Sequence, residues 1–133
     1  MKKNNLLKKA FILASLLIIM QSVHAQDSEL DLQYLVGLWK LDMTPENEND
    51  SNFAQMNIDK IGTNLVEGTF YREGVLIQEG RTNTQSGKIY VALVSGDNSG
   101  DYNSSFYLEN GKIYGTTHSL SKDFLAVWVG EKM

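Results

Sequence analysis

The chain has no cysteine, a single proline and two histidines. Without cysteine there can be no disulfide, no thiolate nucleophile and no cysteine-ligated metal. Pro45 lies in a polar stretch, where it interrupts no strand. Only His118 follows the N-terminal region, at the end of an alternating segment, and a lone imidazole there is more often a surface residue than a base. We therefore expect no enzyme activity, no metal site and no cofactor.

Basic residues are concentrated at the N-terminus. Lys2, Lys3, Lys8 and Lys9 precede an apolar run over residues 10–20, which Val23-His24-Ala25 follows. This order is typical of a cleavable secretion signal. The run is too short for a membrane anchor, which needs roughly 20 apolar residues. We predict that residues 1–25 are removed, that the protein is secreted or periplasmic, and that it is not inserted in a membrane after cleavage.

Little positive charge is left after the predicted cleavage. The signal contains four of the 12 basic residues and none of the 16 acidic ones, so residues 26–133 carry a net charge of −8. Such a surface repels the phosphates of nucleic acids, which excludes them as natural partners. A chain of this length is expected to form one domain, and we assign residues 26–133 to it.

Alternating apolar and polar residues, with turn residues every 8 to 12 positions, predict an antiparallel all-β fold. Asn110-Gly111 is a strong signal for a two-residue hairpin turn. Residues 27–36 instead have helical spacing and predict a short helical lead-in. All connections are short, so we expect an eight-stranded up-and-down meander that closes into a small barrel. The predicted strands are residues 38–43, 53–59, 63–71, 75–83, 88–95, 102–108, 112–118 and 124–131.

The start of the predicted barrel resembles a known superfamily. Residues 31–41 read DLQYLVGLWKL, a helical lead-in followed by Gly37-Leu38-Trp39 at the opening of the first strand. This resembles the G-x-W signature of the calycins, which include small lipocalin-like and avidin-like up-and-down barrels. Residues 64–71 are similar to the third strand of such barrels. The resemblance implies a barrel that binds rather than catalyses, with Lys132 as the substitute for a basic residue over the signature Trp39.

Strand alternation suggests which residues would face a ligand inside the barrel. We predict that Trp39, Met56, Phe70 and Trp128 line the interior and that Tyr71 and Tyr107 supply polar groups, so that a small apolar molecule binds there. The alternative is a solid core, since eight strands leave an interior that side chains just fill. The protein would then be a protein-interaction module, for example an inhibitor of a secreted enzyme.

Strand glycines bear on the choice between a hollow and a solid barrel. Gly68, Gly80 and Gly115 all lie within predicted strands. They would leave room for a ligand at one end, or mark bulges and bends that allow a short barrel to close.

Residues 89–94 and 124–129 are apolar on both faces, unlike the other strands. An antiparallel strand with one wet face should alternate. The outer faces of these two strands would be covered by another subunit, by the N-terminal segment or by a partner, or would stay exposed. We predict a homodimer through them, because large exposed apolar patches are unusual in monomers.

Overall fold

The computed structural model describes residues 32–133, and within them the chain forms a closed eight-stranded antiparallel barrel. Each strand pairs with its neighbours in sequence, and β1 closes the barrel by pairing with β8. Residues 32–34 form a single helical turn before β1. The strands are β1 Gly37–Asp42, β2 Phe53–Gly62, β3 Leu65–Tyr71, β4 Leu76–Asn83, β5 Tyr90–Asp97, β6 Gly100–Glu109, β7 Lys112–Ser119 and β8 Phe124–Lys132.

The predicted fold class is confirmed: the chain is all-β, with eight antiparallel strands in a closed up-and-down order. Several strand boundaries differ from the prediction: β2, for example, continues to Gly62 instead of ending at residue 59, and β5 begins at Tyr90 instead of residue 88. Residues 96–100 were expected to form a loop, but β5 and β6 remain paired as far as Asp97 and Gly100, so the turn is only two residues long. The predicted signal and residues 27–31 of the lead-in lie outside the described residues. Across residues 32–133 we find no helix with the length and apolarity required to span a membrane.

The β6–β7 turn has the conformation that its sequence predicts. Asn110 and Gly111 have φ values of 51° and 76°, as a type I′ turn requires. A two-residue turn fixes the pairing of the flanking strands, and Glu109 lies opposite Lys112. Every second pair of opposed residues, counted along β6 and β7 away from the turn, therefore points to the outer face of the barrel, as Glu109 and Lys112 do.

Two irregularities shift the alternation of inward and outward residues. β2 has a shift in pairing between Ile58 and Lys60, and β4 has one between Ile77 and Glu79. Gly68 faces the first irregularity with a φ of 146°, and a side chain there would collide with the Asn57 carbonyl. This glycine therefore marks a bulge, one of the two roles that its position in a strand suggested.

The barrel end at the start of β1 is closed by the helical turn and Trp39. The Trp39 ring is fully buried, and its Nε1 donates to the Leu35 carbonyl at 2.9 Å. Tyr34 packs edge-on against Trp39, with ring centroids 6.0 Å apart. The Lys132 ammonium lies 4.5 Å from the Tyr34 ring centre and 5.8 Å from that of Trp39, and it donates to the Tyr34 carbonyl. Lys132 therefore does pack over the tryptophan that the sequence singled out.

Candidate binding groove

Four of the six predicted ligand-binding residues lie together inside the barrel. Trp39, Met56, Phe70 and Trp128 are completely buried. Met56 lies opposite Trp39 on one side and Phe70 on the other, and the Phe70 ring centre is 5.8 Å from that of Trp128. Contacts at this range are those of rings packed into a core. The four side chains fill space along the barrel axis with one another.

The interior glycines do not leave the space that the sequence suggested. A Cβ atom at Gly115 would lie 2.5 Å from the Trp128 ring, and one at Gly80 would lie 2.6 Å from Val66. At Gly130 it would lie 2.5 Å from Ile113. Neighbouring side chains thus occupy the room beside these glycines. This packing favours the alternative of a solid core over a hollow barrel.

The buried polar groups of the core are largely paired with one another. Trp128 Nε1 donates to the Thr117 hydroxyl at 2.9 Å, and the Thr117 and Ser104 hydroxyls are 2.8 Å apart. Ser95, one strand further on, is also completely buried, but its hydroxyl has no hydrogen-bond partner among residues 32–133. Buried hydroxyls are normally paired, and Ser95 shares this exception with its cross-strand neighbour Tyr102, whose buried hydroxyl also has no hydrogen-bond partner among the described residues.

The two tyrosines predicted to serve the interior are placed differently. Tyr71 is half-buried, and its ring centre is 5.1 Å from that of the buried Tyr102. Tyr107 does not face the interior, because the alternation of β6 turns Tyr102, Ser104 and Phe106 inward. The Tyr107 ring lies on the outer face of the sheet instead. The prediction that Tyr107 supplies a polar group to an interior pocket is therefore wrong.

On the outer face, Tyr107 belongs to a row of aromatic residues that crosses three strands. Tyr90, Tyr107 and Tyr114 are consecutive cross-strand partners on β5, β6 and β7, and we call them the tyrosine row. The Tyr107 and Tyr114 rings are stacked, with centroids 5.5 Å apart and an interplanar angle of 20°. Tyr90 is 6.0 Å from Tyr107 and 44% exposed. Such pairs are typical aromatic contacts, yet here one side of the row faces solvent.

The next outward row, two residues along each strand, has smaller side chains at its centre. It runs from Arg81 on β4 through Ala92, Ser105 and Thr116 to Val127 on β8. Because its central residues are small and the tyrosines beside them are large, the surface is concave here. The result is a groove of about 660 Å³ on the outer face of β4–β8, which we call the outer groove. Because the outer groove extends from β4 to β8, the outward residues of β5 and β8 that line it belong to one continuous surface rather than to two separate patches.

The apolar residues of β5 and β8 lie on the faces that the loss of alternation indicated. Val127 is 58% exposed and Leu125 is 68% exposed on β8, while Ala92 and Tyr90 are exposed on β5. Large exposed apolar side chains that share one groove with an aromatic row often mark a binding site.

Ion pairs line the rim of the outer groove beside the tyrosine row. Lys88 Nζ donates to Glu109 Oε1 at 2.7 Å, and Lys112 Nζ donates to Glu131 Oε1 at 2.6 Å. The hydrogen bond from Glu109 raises the pKa of Lys88, and that from Glu131 raises the pKa of Lys112. The same contact with Lys112 lowers the pKa of Glu131. Both cations are therefore neutralised locally.

Arg81 is the cation at the opposite end of the outer groove. Its Nη1 donates to the Gly80 carbonyl at 2.8 Å and lies 3.5 Å from the Asn64 carbonyl. Within residues 32–133, no carboxylate lies within salt-bridge distance of the Arg81 guanidinium. Its charge is thus available at the groove surface. None of Arg81, Tyr90 and Tyr114 was predicted from the sequence as a site residue.

His118 lies on the exposed outer face of β7, opposite Asn103 and Leu125. It is not in the interior, where it would have had to meet carboxylates to support catalysis. Among the described residues there is no cluster of three histidine, aspartate or glutamate side chains that could hold a metal.

Comparison with known proteins gives no further guide to the site. The sequence matches no protein-family model and has no significant match among curated proteins. The chain is accordingly described by the fold of residues 32–133, an eight-stranded antiparallel up-and-down β-barrel with a buried aromatic core and an aromatic groove on its outer face.

Proposed function

We propose that this protein is a secreted or periplasmic, non-catalytic binding protein of calycin type whose recognition surface is the outer groove. The observation that carries the proposal is the tyrosine row. Three aromatic side chains, which a soluble barrel could bury, are instead arranged side by side along a partly exposed groove of about 660 Å³. That volume falls within the range of small-molecule sites, which are mostly apolar with a few polar groups.

The relationship to calycins is supported by the closed end of the barrel. Gly37-Leu38-Trp39 opens β1 beneath a helical turn, and Lys132 reaches over Trp39 from the last strand. The simple meander order of all eight strands is also that of the superfamily. These features support a shared architecture, and they are independent of what the protein binds.

The interior is the second candidate site, and one observation favours it. The buried Ser95 hydroxyl has no partner among residues 32–133, so a water molecule or a polar atom of a small guest would satisfy it. Against this, the packing around Gly80 and Gly115 favours a solid core. This packing disfavours a carrier with an internal ligand, and it is the reason that the proposed contact surface is on the outside.

A neutral fluorescent probe tests the proposal. We expect N-phenyl-1-naphthylamine to bind saturably and to shift backbone amide resonances of the outward residues of β5–β8. Val127→Lys, which places a charged chain in the outer groove, should abolish binding, whereas Leu38→Lys on the exposed face of β1 should not. If binding survives Val127→Lys, or if resonances of Met56 and Phe70 shift instead, the outer groove is not the site.

Native mass spectrometry of protein purified from its own host separates the two candidate sites. A co-purified mass that is lost in Val127→Lys belongs to the outer groove. A mass retained in that variant supports the interior and contradicts the proposal.

A further inference from the structure

The chemistry of the groove ends suggests what kind of molecule it takes. The two lysines on the rim, Lys88 and Lys112, are each held by a carboxylate. Arg81 is held only by backbone carbonyl oxygens among the described residues. Of the two arginines in the chain, Arg72 is paired with Asp97 at 3.2 Å and lies outside this groove. Among the described residues, the outer groove thus has at its β4 end a positive charge that forms no salt bridge with an acidic side chain.

The surroundings of Arg81 limit where an anion could lie. Glu79, two residues away on β4, borders an adjoining smaller groove that shares Arg81, Ala92 and Ser105. An anionic group placed on the tyrosine side of Arg81 avoids this carboxylate. On that side the groove floor has the Ser105 and Thr116 hydroxyls, 3.5 Å apart and exposed.

The size of the surface argues against a second copy of the chain as the occupant. Five strands at about 4.8 Å spacing and three outward rows at about 6.7 Å (the row of Lys88 and Lys112 ion pairs, the tyrosine row and the row from Arg81 to Val127) cover roughly 19 by 13 Å, on the order of 250 Å². A standard interface buries about 800 Å² on each partner. The same groove is large enough for a small molecule of ordinary ligand size.

We propose that the outer groove binds a small amphipathic anion, with its apolar or aromatic body on the tyrosine row and its carboxylate, sulfate or sulfonate on Arg81. This inference rests on the proposed function and adds the ligand class. Arg81 suits the role because a guanidinium presents several donors in a plane and pairs with planar anions through two hydrogen bonds. The tyrosine row provides the aromatic edge for the body: Tyr90 is its exposed ring, and Tyr107 lies between Tyr90 and Tyr114 with the Lys88 ammonium 4.9 Å from its ring centre.

A pair of matched probes tests the charge and the body separately. 8-Anilinonaphthalene-1-sulfonate and N-phenyl-1-naphthylamine have the same aromatic body, but only the first has an anionic group. We expect the sulfonate to bind the mature protein about tenfold more tightly than the neutral probe, as a charge-assisted hydrogen bond allows. Arg81→Gln should remove this tenfold advantage and leave the binding of the neutral probe unaffected, while Arg72→Gln, the control, should change the binding of neither probe.

Tyr107→Ser tests the aromatic body and should weaken the binding of both probes. Each variant must keep its cooperative thermal unfolding, because partly unfolded proteins bind the sulfonate without a specific site.

The outcomes separate this inference from the proposed function. If Tyr107→Ser weakens both probes but Arg81→Gln changes neither, the groove is a binding site and the preference for an anion is wrong. If neither Tyr107→Ser nor Arg81→Gln weakens either probe, the groove is not the site, and both proposals fail. Loss of sulfonate binding in Arg81→Gln with no effect of Tyr107→Ser places the anion on Arg81 without the tyrosine row and overturns the inference.

Discussion

The indole nitrogen of Trp128 donates to the Thr117 hydroxyl at 2.9 Å inside the barrel. The same hydroxyl lies 2.8 Å from Ser104, so Thr117 pairs two buried polar groups at once. Hydrogen-bond geometry, and not only the packing of apolar side chains, therefore determines how this core is arranged. Each buried polar group left without its partner would lower the stability of the fold.

Thr117→Val should therefore lower the free energy of unfolding by about 1–3 kcal/mol, since it leaves the Trp128 N–H and the Ser104 hydroxyl without this partner and changes the shape little. The neighbouring Thr116→Val is a matched control. The Thr116 hydroxyl is on the outer face, 3.5 Å from Ser105, and its loss should cost less than about 0.5 kcal/mol. Urea unfolding of both variants measures the difference. Equal midpoints would contradict the buried network.

Gly115→Ala tests whether the interior is solid. The new Cβ would lie 2.5 Å from the Trp128 ring and 2.8 Å from Phe106 Cβ, so the core would have to shift, at a cost of about 1–3 kcal/mol. Gly62→Ala, on β2, is the control, because its Cβ would meet no atom within 4 Å. The thermal midpoint of Gly115→Ala should fall well below that of Gly62→Ala. A Gly115→Ala protein as stable as the parent would mean that there is space beside Trp128.

Much of the fold follows from local sequence. Two-residue alternation identifies Trp39 and Leu41 as inward residues, and it does the same for Met56 and Phe70; all four are buried. The Asn110-Gly111 turn alone sets Tyr107 opposite Tyr114, so that part of the tyrosine row could have been found by counting back from the turn.

The rest of the groove depends on pairing that local sequence does not reveal. The irregularity between Ile77 and Glu79 reverses the alternation of β4. Counting from the inward Ile77 would place Arg81 inside the barrel, whereas the extra residue turns it outward. The pairing of Tyr90 with Tyr107 is different: predicted strands that end at 95 and begin at 102 already set these two residues opposite each other when paired end to end, and the longer strands keep that register. The packing of the interior could not be predicted either. A glycine in a strand indicates that a side chain is missing there, but the sequence does not show whether a neighbouring side chain fills the room, as Trp128 does beside Gly115.

Trp39→Ala should cost about 3–5 kcal/mol of stability, because it removes a completely buried ring together with the hydrogen bond to Leu35. Trp39→Phe keeps a ring but loses the hydrogen bond, and it should cost less. Chemical denaturation followed by circular dichroism measures both changes. A loss below about 1 kcal/mol for the alanine variant would mean that the Gly37-Leu38-Trp39 resemblance is a coincidence.

The Lys112–Glu131 pair on the groove rim should be visible in a pH titration. The pKa of Glu131 is below its ordinary value of 4.5, chiefly because of the hydrogen bond from Lys112. A depressed carboxyl pKa stabilises the folded state above the unfolded value, and this contribution is lost as the pH falls through the folded value. Lys112 has a raised pKa, so its contribution is present below 10.5 and lost as the pH rises through the folded value.

Because both side chains are exposed, the effect on global stability should be small, and the site itself is the better readout. Carbon NMR of the Glu131 carboxyl should give a midpoint below 4.5 that rises in Lys112→Gln. A midpoint that does not move in this variant would mean that the ion pair does not form in solution.

Self-association through β5 and β8 is the rival use of the outer groove. Val94 and Val127 both lie on its side of the barrel, as the apolar stretches at 89–94 and 124–129 predicted, and Val127 is 58% exposed. This face of the barrel covers on the order of 250 Å² by strand spacing, which is small beside the roughly 800 Å² that each partner of a stable dimer buries. We therefore expect sedimentation at micromolar concentration to give a monomer, with association only at much higher concentration.

The double variant Val94→Lys and Val127→Lys should abolish that weak association and keep the parent's circular dichroism, because both side chains point away from the core. A stable dimer at micromolar concentration that this variant splits would make the groove a subunit interface and leave no room in it for a small anion.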